Sequence, residues 1–168
     1  MGERLRKRLK QTRSMDPREE SLLCMIVAAY CVRDRFSACL AEEGISPGQY
    51  NVLRILRGAG EQGRTRGEIA ERLIERSPDV TRLVDRLATM GLVLRTRNRS
   101  DRRCSTACIT PQGLALLERL EPRMDQTKAD IMSQFEVGEL ESLEGLCERL
   151  ISEHDCPNAS IMPTMDGS

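Results

Sequence analysis

Across Gly91 the apolar pattern of this chain changes period, and that change restricts the fold more than any other feature. Before it, Val80, Leu83, Val84 and Leu87 recur at i, i+3, i+4 and i+7, while Asp79, Arg82, Asp85, Arg86 and Thr89 fall on the opposite side. This predicts a helix that packs one face and presents charge on the other. After it, LVLRTR, a polar tip NRSDRR and then CSTACIT read as two short strands joined by a hairpin loop. A charged-faced helix running straight into a basic hairpin leaves few architectures open.

The residues upstream narrow them further. Ser46-Pro47 has the chemistry of an N-cap and first helical position, and QYNVLRILRG then gives a short helix closed by Gly58 and Gly60. Thr65-Arg66-Gly67-Glu68 has capping-box spacing, with Ile69, Ala70 and Leu73 as the apolar side of a third helix. Ser77-Pro78-Asp79 starts the next one. Two short helices, a turn, a helix with a charged face and a hairpin make a winged helix-turn-helix. The fold class is therefore mainly α with a small β-hairpin wing.

The flanks divide the 168 residues into five segments. Residues 1–15 are a basic arm without expected order. A long helix over 16–45 carries Leu22, Leu23, Met25, Ile26, Ala29 and Val32 around most of its circumference, which predicts burial on several sides, including against another subunit. The DNA-binding lobe takes 46–110. Helices over 111–155 follow, the first running to about Phe135 and kinked at Pro122. The tail, 156–168, is expected to lack order.

Charge is neutral in sum, with 26 bases and 26 acids, but uneven along the chain. Between Arg64 and Arg103 there are eleven arginines against six acids, five of them in the stretch 95–103; from Glu121 onward eleven acids face three bases. A basic centre is the footprint of polyanion binding. Aromatic residues are 2% of the chain and Trp is absent, so base stacking is not how it would hold nucleic acid.

Other classes fall away. No glycine-rich phosphate loop, nucleophile elbow or paired-carboxylate arrangement is present, and a single His offers little acid–base chemistry. No enzyme, metal or cofactor is expected, since the Cys and His spacings are not those of zinc sites. Seven cysteines without a recognisable secretory leader predict free thiols and a cytoplasmic location. The longest apolar run, Leu22 to Val32, is shorter than the roughly 18 residues that suggest a membrane span.

The stretches SPGQYNVLRIL, EIAERL, PDVTRLVDRLATMGLVLR, DRR and ITPQG, at these intervals over residues 20 to 150, resemble the MarR family of bacterial transcription regulators. The resemblance implies a homodimer with interlocked terminal helices and two winged-helix lobes on a pseudo-palindromic duplex DNA operator. It implies a recognition helix from Ser77 to Met90 and a wing from Arg95 to Arg103. Thr81 and Arg82 match positions that contact DNA in the family, and Asp79 and Arg86 lie on the same side. In the wing, Asp101 and Arg103 match a bracing pair, leaving Arg97, Arg99 and Arg102 for groove or phosphate.

The resemblance also implies release by a small aromatic or phenolic ligand lodged near the first two helices, with Tyr30 and Tyr50 as pocket candidates. Some family subgroups sense peroxides through a first-helix cysteine. Cys24, Cys31 and Cys39 fall within about 80 degrees on a helical wheel, which makes Cys24 and Cys31 candidates for a thiol switch. A winged-helix module that contacts an acidic protein instead of DNA is a third reading, separated from the first by duplex binding.

Overall fold

In the computed structural model, which describes residues 2–10, 15–75, 79–97 and 105–154, the central helix begins at its coded cap. This helix, α3 (Pro47–Ala59), has Ser46 Oγ accepting from the Gln49 N–H while the Gln49 side chain accepts from the Ser46 N–H, 3.3 and 2.9 Å. Pro47 takes the position whose N–H has no helical partner. Val52, Leu53 and Leu56 on its inner face are fully buried. Around them gather Leu40 of α2 (Pro17–Ala41), Ile69 of α4 (Arg66–Arg72), Val84 and Leu87 of α5 (Val80–Thr89), and Leu117 and Leu120 of α6 (Pro111–Met132). Burial of branched side chains on this scale, about 1.5–3 kcal/mol each, is the main stabilising force.

The strands β2 (Val93–Arg97) and β3 (Ser105–Ile109) form the expected antiparallel hairpin, with Val93 opposite Ile109 and Arg95 opposite Ala107. A two-residue strand not anticipated from sequence, β1 (Arg64–Thr65), pairs with the other edge of β3, giving the order β1-β3-β2. Two residues are too few to show a period. The close approach depends on Gly63, which has φ +64°; a Cβ there would lie 2.5 Å from both the Ala107 carbonyl oxygen and Cys108 Sγ.

Three boundaries differ from expectation. Residues 1–15 are not a structureless arm throughout: Glu3–Leu9 forms a helix, α1. Leu5 on it is buried, the Gly2 N–H donates to Glu20 at 2.8 Å, and Arg8 reaches α2. One buried leucine and these contacts supply what a short helix lacks in water by itself. Helix α5 starts at Val80, capped by Asp79; Ser77 and Pro78 lie outside the described residues. Helix α6 passes through Pro122 and ends at Met132, short of Phe135.

The chain divides into two compact units, residues 1–128 and 129–168. In the second, α7 (Val137–His154) starts with the Glu139 carboxylate accepting from the Glu136 N–H at 2.9 Å. It carries Leu143, Leu146, Leu150 and Ile151, each at least 42% exposed. Residues 155–168, with the expected tail, lie outside the described residues. No described helix is long and apolar enough to cross a membrane.

Candidate nucleic-acid interface

Helix α4 is held at its start by a second capping box: Thr65 Oγ1 accepts from the Glu68 N–H and the Glu68 carboxylate accepts from the Thr65 N–H, 3.3 and 2.9 Å. These hydrogen bonds to Thr65, with Arg64 and Arg72 nearby, hold the Glu68 carboxyl below its ordinary value of 4.5. The chain leaving α4 is pinned from α3, where Asn51 Oδ1 accepts the Ile74 N–H at 3.1 Å. Helix α5 then sets out with Asp79 Oδ1 accepting from the Arg82 N–H at 3.0 Å.

Because α5 buries Val80, Val84 and Leu87 against the core, the helical repeat turns Arg82, Arg86 and Thr89 to solvent. Among the described residues neither Arg82 nor Arg86 takes part in an ion pair, so both guanidinium groups are available to an external anion. The acids of the same helix are otherwise engaged. Asp79, a DNA-contact candidate from sequence, serves as the helix cap, its carboxylate directed at the backbone N–H of Arg82. Asp85 pairs with Arg95 of β2.

That last pair follows from strand geometry. Side chains two apart share a face of a strand, so Arg95 shares that of Val93, which is buried, and is thereby turned toward α5. Arg95 thus ties the wing's root to the middle of α5, while Leu94 on the other face is 59% exposed. At the start of α5 a second tie comes from α4, where Arg66 Nη1 donates to Thr81 Oγ1 at 3.0 Å. Neither tie was assigned from sequence. The period-2 alternation from Val93 signals the first; nothing local signals the second.

Of the other wing candidates, Arg97 ends β2 and its side chain is outside the described set, and Arg99, Asp101, Arg102 and Arg103 lie outside the described residues. A cleft of about 600 Å³ opens beside α5, between the ends of α2 and α5 and the start of α3, lined among others by Ser37, Ala41, Gln49, Arg86, Thr89 and Met90. Neither tyrosine lines it. Tyr30 is 49% exposed with the Arg33 guanidinium 4.7 Å from its ring centroid, and Tyr50 packs half-buried against the core.

On α2, Cys24 is exposed, Cys31 half-buried and Cys39 buried. Arg8 Nη1 lies 3.2 Å from Cys31 Sγ, a cation supplied by α1. Among the described residues no group of three His, Cys, Asp or Glu side chains is placed to hold a metal.

A helix-turn-helix whose second helix shows a cationic outer face, tied to a three-stranded wing, defines a winged-helix DNA-binding regulator. The model of the MarR family matches residues 45–105. A MarR transcription factor from Planctomyces limnophilus, known by its crystal structure, is 33% identical to the chain, covering 82% of it and 98% of that protein with a TM-score of 0.64. The transcriptional regulator PrsX of Escherichia coli is 28% identical over 90% of the chain and 94% of its own length. Sco3205 of Streptomyces coelicolor, solved in complex with DNA, shares 24% identity over 88% of this chain and 94% of its own, with a TM-score of 0.73. The chain belongs to the MarR family, and it is a transcription regulator, not an enzyme.

Proposed function

We propose that the protein acts as a homodimer that binds a pseudo-palindromic duplex operator, represses transcription there and is released by a small molecule. The observation that carries the DNA contact is the outer face of α5, where Arg82 and Arg86 have no acidic partner among the described residues, while Asp79 caps the helix and Asp85 pairs with Arg95. Thr81 and Arg82 meet base edges in the major groove, and Arg86 with the wing arginines Arg97, Arg99 and Arg102 meets phosphate or the flanking minor groove, with Asp101 and Arg103 bracing the loop. The second copy covers the apolar side chains exposed on α2 and α7, among them Leu22, Met25, Ile26, Leu146 and Leu150.

The cleft beside α5 suits the releasing ligand. It shares Arg86 with the outer face, so an aromatic or phenolic acid with its anionic group on that guanidinium would compete with phosphate for it. A ligand of this kind shifts the population from the DNA-bound form by its preference for the free one. Selection of bound fragments from a random duplex pool, followed by challenge with aromatic acids, tests the whole reading. Arg82→Ala is expected to relax base preference at one position per half-site, whereas no affinity for any duplex at low salt overturns the reading and leaves the protein-contact alternative.

A thiol switch is a second reading, favoured by the half-buried Cys31, whose Sγ lies 3.2 Å from Arg8 Nη1. Cys31→Ser should then abolish peroxide-driven release from DNA. Release that persists in this variant removes Cys31 from the switch.

A further inference from the structure

We infer that Arg66, on α4, is a positioning residue for base recognition: its guanidinium fixes the Thr81 hydroxyl as a hydrogen-bond donor toward DNA. This rests on the proposed docking of α5 in the major groove.

A helical threonine ordinarily gives its hydroxyl hydrogen to the carbonyl one turn back. Thr89 does so to the Asp85 carbonyl at 3.0 Å, and Thr127 to that of Arg123 at 2.8 Å. Thr81 is the second residue of α5, and the position four before it precedes the helix. No carbonyl of the helix itself therefore lies one turn back to take its hydrogen. Arg66 Nη1 meets Thr81 Oγ1 at 3.0 Å. A guanidinium has only donors, so the oxygen must accept here. The contact occupies one lone pair of the hydroxyl, leaves its hydrogen for another partner, and polarises the O–H bond so that it donates more strongly.

The direction of that bond has a consequence for sequence. A hydroxyl free to rotate can serve either a donor or an acceptor on a base edge, and so discriminates little. Held by Arg66, Thr81 favours acceptors: N7 and O6 of guanine, N7 of adenine or O4 of thymine, over the amino groups of cytosine and adenine. Arg66 is itself exposed at the first position of α4, so the same guanidinium could instead hold only a phosphate. The two roles differ in what they do to sequence preference.

The full-length protein is tested on the duplex it selects from a random pool and on all single-base variants of that duplex, at fixed salt and over a salt series. Arg66→Ala is expected to lose about 2- to 10-fold of discrimination, the worth of one hydrogen bond, at the base position where Thr81→Val loses it. The double variant should be no worse there than Thr81→Val alone, because the two residues act as one unit. Arg66→Lys, which keeps a donor, should restore part of the discrimination. Circular dichroism and melting temperature of each variant exclude unfolding as the cause. If Arg66→Ala instead binds every duplex more weakly, with a salt slope flatter by about one unit and unchanged preference at all positions, then Arg66 holds a phosphate and the inference is overturned. Additivity of the two single changes overturns it as well. Wild-type protein that selects no duplex at all defeats the docking reading itself, an outcome separate from either.

Discussion

Asp79 shows how a carboxylate on the charged side of a helix can serve the helix start as well. It stands on the charged side of α5, yet its oxygen accepts the Arg82 N–H, a bond that serves the helix start. Asp79→Ala should cost about 0.5–2 kcal/mol of stability in chemical denaturation, the usual worth of an N-cap. Glu68 makes the corresponding prediction in pH. Its hydrogen bonds to Thr65 lower its pKa in the folded protein, so its contribution to stability is complete above the ordinary value of 4.5 and is lost as pH falls through the lowered one. Denaturation of wild type and Glu68→Ala across this range should show their difference shrinking with acid; a constant difference would mean that the carboxylate's charge state is irrelevant to the cap.

At the scale of elements, the wing, α4 and α5 are joined by specific contacts and not by packing alone. The Asp85–Arg95 pair is between groups roughly half exposed, 48% and 42%, so Arg95→Ala should change folding stability by no more than about 1 kcal/mol. Its effect should appear in DNA affinity, where a wing freed from α5 must be ordered on binding; equal DNA affinity for the variant and wild type would show that the tie is idle. Gly63 is a stronger constraint on the sheet. Because it combines a left-handed backbone with close approach to β3, Gly63→Ala should destabilise by more than about 1 kcal/mol, read from the shift of the denaturation midpoint.

For the whole molecule, the exposed apolar side chains of α2 and α7 set the expectation. Leu146 and Leu150 are 57% and 52% exposed, and the double change Leu146→Glu, Leu150→Glu places charge where the proposed partner packs. Sedimentation should show monomers, and affinity for a two-half-site duplex should fall toward that for a half-site. A variant that remains dimeric would remove α7 from the interface. Arg102→Ala acts on the same assembly electrostatically and should flatten the dependence of log affinity on log salt by about one unit for each phosphate that Arg102 neutralises.

What the sequence determined by itself was everything that neighbouring residues decide among themselves. The N-cap at Ser46 and the capping box at Thr65 form where their residues place them, and the change of period across Gly91 becomes a helix followed by a hairpin. Such features depend on bonds within one turn or on alternation along one strand. The tertiary structure alone decided which groups meet across the fold. Thr81 receives a donor from a residue fifteen positions away, Arg8 comes to Cys31 across twenty-three, and the cleft draws its walls from α2, α3 and α5 without either tyrosine. Those encounters depend on how separate helices pack around Leu53 and Leu56, and no local pattern of residues carries the distance between two packed elements.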